Sequence, residues 1–155
     1  MLKVAYSFTT LWHVDAPQHV VWEEIFHPEQ WPHWWKAVRA VESLRPGDAQ
    51  GIGRCDRVIW KGALPYTLVI ETETVRVEPF ERIEHRSRGE LEGTGLWQFA
   101  PHDGQTIVRY DWNVCTTKPW MNRLAPLARP LFEWNHHVVM RQGGVGLNRQ
   151  LTGGA

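Results

Sequence analysis

The stretch QTIVRYDWNVCT, residues 105–116, and the helical pattern that follows it from Trp120 to about Leu151 decide the fold. In the first, Val108, Tyr110, Trp112 and Val114 share one parity while Arg109, Asp111 and Asn113 share the other. A strand with one dry and one wet face belongs to an antiparallel sheet covered on one side only. In the second, the apolar period lengthens to that of a helix. Pro126 and Pro130 must kink or interrupt its first part, so the continuous helix is expected from about Pro130, where proline is tolerated in a first turn. The tail Thr152–Ala155 is expected to fray.

Working back from residue 105, the period is two almost throughout. Residues 80–88 and 91–101 form a hairpin around Gly89-Glu90. Residues 66–77 form a long strand whose apolar phase slips, since Leu68 and Ile70 disagree in parity with Val75 and Val77. A bulge near Thr72–Thr74 reconciles them. Residues 51–61 and 37–45 are two further strands, the latter ended by the turn Pro46-Gly47-Asp48. At the start, alternation from Lys3 to Val14 predicts a strand. Asp15 as N-cap and Pro17 in the first turn then predict a helix over 16–26. A second short helix over 28–36 carries Trp31, Trp34 and Trp35.

This order predicts one α+β domain over residues 1–155, with no internal repeat or linker. A curved antiparallel sheet of about seven strands has one dry face, and only the C-terminal helix is long enough to cover it. The two short helices, between the first two strands, close one end.

Composition bounds the function. Seventeen Lys and Arg balance 17 Asp and Glu, so the basic excess that phosphate contacts draw on is missing, and no nucleic-acid partner is expected. No stretch approaches the ~18 apolar residues of a membrane span, and the N-terminus has no secretory pattern. A cytoplasmic protein is expected, with Cys55 and Cys115 as free thiols. Monomer and homodimer both remain open. Eight histidines fall at no metal-ligand spacing, and no nucleophile-elbow, phosphate-loop or dinucleotide motif occurs, so neither metal nor cofactor is expected. Ten tryptophans stand out. Each brings on the order of 150–250 Å² of contact and one N–H to satisfy, so a cluster of them lines a cavity for a flat apolar ligand or fills a core.

Several stretches resemble one family. Trp31-Pro32-His33-Trp34-Trp35, the run Gly89–Trp97, Lys118-Pro119-Trp120-Met121 and Phe132-Glu133-Trp134-Asn135-His136, with the element order from Tyr6 to Leu151, resemble the START/Bet v 1-like (SRPBCC) superfamily and its polyketide cyclase/dehydrase-like branch. The resemblance implies a helix-grip fold. It does not single out a function, because similar members bind lipids, quinones, hormones or polyketides, or catalyse cyclisation and dehydration.

The residues expected around a ligand are Trp31, Trp34, Trp35, Trp60, Trp97, Tyr110, Trp112, Phe132, His136, Met140 and Gly143. His85 shares its parity with Ile83 and should point inward near Tyr110, which makes it the acid–base candidate. It could equally be a core histidine. His136, Met140, Gly143 and Leu147 make one helical stripe, while Leu127, Leu131, Trp134 and Val138 make a second. A helix apolar on both faces is expected to be buried on both or to line a cavity. Gly143, Gly144 and Gly146 imply either close approach to ligand or sheet, or a packing contact or bend. Asp56 and Arg57 have ambiguous parity, and whichever is inward must be paired. Glu71 with Glu73, and Glu90 with Glu92, read as solvated outer-face pairs.

Three functions follow. The first is a binding protein for a small hydrophobic or aromatic, lipid-, quinone- or polyketide-like molecule held between sheet and helix. The second is a metal-independent cyclase or dehydratase in which His85, Tyr110 or His136 move protons on a polyketide-like substrate. The third is a protein-interaction module using an exposed Trp31/Trp34/Trp35 segment.

Overall fold

A computed structural model describes residues 4–153. Strand β1 (Ala5–Val14) leads into α1 (Gln18–Phe26), a 3-10 turn (Pro28–Gln30) and α2 (Trp31–Trp34). Six strands follow: β2 (Val38–Arg45), β3 (Cys55–Trp60), β4 (Leu68–Glu78), β5 (Arg82–Gly89), β6 (Leu91–His102) and β7 (Gln105–Thr116). The chain ends in α3 (Pro119–Arg123) and α4 (Ala125–Thr152). All seven strands form one antiparallel sheet in the order β1-β7-β6-β5-β4-β3-β2. The first strand thus pairs with the last, Ala5 opposite Cys115 and Val14 opposite Thr106. The helix-grip arrangement is the one observed, with α4 lying along the sheet.

The period of two holds along β7, where residues 106, 108, 110, 112, 114 and 116 are all buried. The β4 irregularity lies between Thr74 and Arg76, one residue beyond the expected bulge. Four boundaries depart from expectation. Helix α1 starts at Gln18 because Pro17, extended at φ −65° and ψ 154°, takes the cap position. Asp15 does not cap it; its N–H donates to Asn148 Oδ1 at 2.8 Å. The expected helix over 28–36 splits into the 3-10 turn and a single α-turn, and Trp35 is already extended. The expected strand over 51–61 shrinks to β3, since Gly51 and Gly53 sit at φ 87° and 85° in a turn. Helix α4 begins at Ala125, not near Pro130. Pro126 occupies its first turn and Pro130 lies inside it, so the helix gives up the bond that an N–H at 130 would have made to the Pro126 carbonyl. Lys3 and the last two tail residues lie outside the described residues.

The two apolar stripes of α4 also separate. Phe132, His136, Val139, Met140, Gly143 and Leu147 are buried against the sheet, while Leu127, Leu131 and Trp134 are exposed. Of the second stripe only Val138 is half-buried, and none of its four residues is part of the cavity wall.

What seats α4 is a notch of glycines. The Trp35 indole N–H donates to the Val139 carbonyl at 2.8 Å, and that of Trp12 to the Met140 carbonyl at 2.9 Å. A Cβ on Gly143 would stand 2.6 Å from Trp35 Cε2 and 2.7 Å from Trp12 Cζ2. On Gly144 it would stand 2.9 Å from Trp12 Cδ1, and on Gly146 only 1.7 Å from the Trp34 carbonyl oxygen. Glycine costs ~1 kcal/mol in a helix, and here that cost admits two indoles and the α2 backbone to the helix surface. Gly143→Ala is accordingly expected to lower stability by about 1–3 kcal/mol, against the ~1 kcal/mol gain an exposed helix position would show. Urea unfolding of the two proteins measures it, and a stabilised variant would contradict the notch.

Candidate functional site

The wrap leaves a cavity of about 100 Å³ between the sheet, α1, α2 and α4. Its walls are aromatic: Trp31, Trp35, Trp60, Trp97, Tyr110 and Trp112 line it, with Phe132, His136 and Met140 from α4. Of the residues expected around a ligand, only Trp34 and Gly143 lie outside the lining. Trp34 stacks behind Trp35 with ring centroids 5.3 Å apart and planes 16° apart, and Gly143 backs Trp12 and Trp35. All three tryptophans of the 31–35 segment are buried, at 7%, 6% and 1% exposure, so they form no surface patch and the segment cannot serve as an exposed docking module.

Polar groups in the cavity are few and paired across strands. His85 on β5 and Tyr110 on β7 reach over β6, placing His85 Nε2 2.7 Å from the Tyr110 hydroxyl, with the rings stacked at 5.7 Å. They meet because β6 offers Gly95 between them, opposite His85 in register. A Cβ there would stand 2.1 Å from His85 Nε2 and 2.6 Å from the Tyr110 hydroxyl. His85 Nδ1 is buried without a partner among the described residues. Burial pushes the His85 imidazole down to about 4 and the Tyr110 phenol well above its ordinary 10, so both are neutral at pH 7. A neutral imidazole and a phenol sharing one proton can donate on one side and accept on the other.

His136 lies over the cross-strand pair Phe8 and Trp112, its ring 3.8 Å and 19° from Phe8 and 5.5 Å and 16° from Trp112. Its Nε2 is likewise buried and unpartnered, and burial, then the neighbouring His137, holds its pKa down at about 3. Ser87 shares the inward parity of Ile83 and His85 and lines the cavity, with the Trp112 indole N–H 3.4 Å from its hydroxyl. It is absent from the residues expected around a ligand, although its parity with Ile83 and His85 is the signal that marks it. Of Asp56 and Arg57, Asp56 is inward and buried, held by Arg54 at 2.9 and 3.3 Å; burial raises its pKa against that pairing. Arg57 is outward, bonded to Glu42 and Glu71 at 3.0 Å each. On the outer face Glu73 pairs with Arg45 and Arg88, whereas Glu90 sits half-buried in the β5–β6 turn, paired with Lys118 and accepting from the Val69 N–H at 2.7 Å. Among the described residues, no cluster of three His, Cys, Asp or Glu could hold a metal ion.

One lip of the cavity is the β3–β4 loop, residues 61–67. Asn135 Oδ1 accepts from the backbone N–H of Ala63 at 2.7 Å and of Leu64 at 3.3 Å, and Tyr66 packs edge-on against Trp120. No pattern in the chain pointed to Asn135, because its partners are backbone groups more than 70 positions away.

Both histidines stay neutral in the fold, whereas in the unfolded chain they titrate near 6.5. Their folded pKa values being depressed, the unfolded state binds more protons as pH falls below about 6.5, and stability drops until about pH 4 for His85 and about pH 3 for His136. The slope is on the order of 1.4 kcal/mol per pH unit for each histidine. Urea titrations at about pH 7 and about pH 5 are expected to show this loss, with His136→Phe removing its own share; an unchanged slope in the variant would refute the buried neutral His136.

A family model described as polyketide cyclase/dehydrase and lipid transport matches residues 1–147. No curated protein sequence matches the chain. Among solved structures, the chain is similar to TTHA0849 from Thermus thermophilus (18% identity, TM-score 0.71, 92% of this chain and 97% of that one). It is also similar to the di-domain ARO/CYC BexL from the BE-7585A biosynthetic pathway, at 19% identity and TM-score 0.73 over 93% of this chain. It spans about half of that longer protein, 49%. A third similar structure is the Zhui aromatase/cyclase from Streptomyces sp. R1128 (15% identity, TM-score 0.66, 97% and 96% of the two chains). Likenesses at these identities speak for the fold.

Proposed function

The chain belongs to the polyketide cyclase/dehydrase and lipid transport family, and we propose that it binds a small, flat, largely apolar molecule of lipid-, quinone- or polyketide-like character between the sheet and α4. The observation that carries this reading is the aromatic cavity whose buried imidazole nitrogens, His85 Nδ1 and His136 Nε2, have no partner among the described residues. An unpaired buried polar atom costs about 1–3 kcal/mol. A ligand carbonyl or hydroxyl within reach of either nitrogen would recover it, while the ring stacked on Trp97 or Trp112 supplies apolar contact.

Size constrains the occupant. A cavity of about 100 Å³ is below the ~300 Å³ of ordinary small-molecule pockets. A multi-ring ligand therefore requires side chains or the 61–67 loop to yield, and a single ring needs little change. Extraction of protein purified under mild conditions, followed by mass spectrometry and by titration of the extracted compound against tryptophan emission, tests the reading. A stoichiometric apolar compound that quenches emission is expected. No bound compound, with no quenching by lipids, quinones or polycyclic phenols, would defeat it.

The His85–Tyr110 pair favours a second reading, proton transfer on a bound polyketide-like substrate. In the tautomer with the proton on Nε2, His85 Nδ1 is a free base and the Tyr110 hydroxyl is free to donate to a carbonyl. Together these abstract a proton beside a carbonyl and stabilise the developing oxyanion, as cyclisation and dehydration both require. His85→Gln and Tyr110→Phe are then expected to reduce turnover by about 10²-fold or more while leaving affinity within a few-fold. Turnover that survives both substitutions would reduce the site to binding alone.

A further inference from the structure

The apolar stripe on the outside of α3 and α4 plays no part in the cavity. Trp120, Leu124, Leu127, Leu131 and Trp134 recur at spacings of four and three, which on helical backbone is one face. The turn at Leu124 keeps them in line, since Leu124 N–H donates to the Trp120 carbonyl at 3.1 Å and Ala128 N–H to the Leu124 carbonyl at 2.7 Å. Their exposures are 45%, 47%, 77%, 54% and 51%. A contiguous face of this kind is kept in water only for a purpose.

We propose that this face docks on an anionic lipid surface, with α4 lying on the bilayer. Charge selects the occupant. From Lys118 to the C-terminus the chain has five Lys or Arg and one acidic residue, Glu133, in a protein whose overall charge is zero. Lys118 is paired with Glu90, and Arg129 reaches Glu133 at 3.5 Å, while Arg123 and Arg141 are exposed beside the stripe. An apolar stripe flanked by arginines, with a tryptophan at each end, has the composition of an interfacial helix. A second copy stacked stripe on stripe would oppose arginine to arginine. Among the described residues no helix is long and apolar enough to cross a membrane, so α4 would lie in the interface. Trp120 also touches Tyr66 of the cavity lip, so docking would bring that opening against the lipid. The inference stands on the stripe and its charge and does not require the proposed ligand.

The test is co-sedimentation of the full chain with vesicles of phosphatidylcholine alone and with about one-third phosphatidylglycerol, at low and high salt. Binding to the anionic vesicles that weakens with salt is expected. Leu127→Ser/Leu131→Ser should cut partitioning by more than about tenfold, and Arg123→Gln and Arg141→Gln by about fivefold for each arginine removed. Thermal melts should match the parent's, because these side chains are exposed. Failure to bind anionic vesicles overturns the proposal, as does binding that neither pair of substitutions alters. So does a dimer in sedimentation equilibrium that Leu127→Ser/Leu131→Ser dissociates, which would assign the stripe to a second copy.

Discussion

Two indole N–H groups meeting two consecutive helix carbonyls, Trp35 to Val139 and Trp12 to Met140, hold the architecture together. Each carbonyl is already within a helix and has a second lone pair to offer, so the bonds satisfy buried donors without unwinding α4. They form only where the ring can reach the backbone, which is why alanine at 143, 144 or 146 would collide with Trp35, Trp12 or the α2 chain. Through this contact β1, α2 and α4 are fixed to one another. The rotation of α4 so defined puts Phe132, His136 and Met140 over the sheet and leaves Leu127, Leu131 and Trp134 outside.

The cavity follows a second economy, in which polar groups are few and space for them is made by omission. Gly95 lets two rings from strands that are not neighbours touch over the strand between them. Asp56 is admitted to the interior because Arg54 accompanies it. The two histidines are admitted as neutral rings, one beside a phenol and one stacked over the rings of Phe8 and Trp112. Under the proposed binding role, such a site would hold its ligand by stacking and shape, with few hydrogen bonds.

Much of this was legible in the sequence, and the failures have physical causes. Strand β7 was readable to the residue because a sheet with one wet face alternates strictly. The inward parity of His85 followed from Ile83 for the same reason. Pro130 points to a later start of α4 than the observed Ala125, because a proline is least costly in a first turn, whereas the packed helix carries it inside at the loss of one backbone bond. The indoles of Trp34 and Trp35, adjacent in sequence, divide between core and cavity wall, and density of tryptophan could not say which. Asn135 was invisible because it binds backbone. Periodicity revealed the second stripe of α4 but could not reveal that nothing in the described chain covers it. The resemblance carried the helix-grip fold and left the ligand open.

The pairing of β1 with β7 has a kinetic side. Ala5 and Cys115 are ladder partners, so the sheet's first strand waits for its last before it gains a neighbour. Contacts of such long sequence separation fold slowly, since loop closure precedes any reward. During synthesis β1, with Tyr6, Phe8 and Trp12 along it, leaves the ribosome about a hundred residues before β7. Its bare aromatic edge is the segment a nascent chain must keep from other chains, and the same Trp12 that later anchors α4 is the residue most exposed to that hazard.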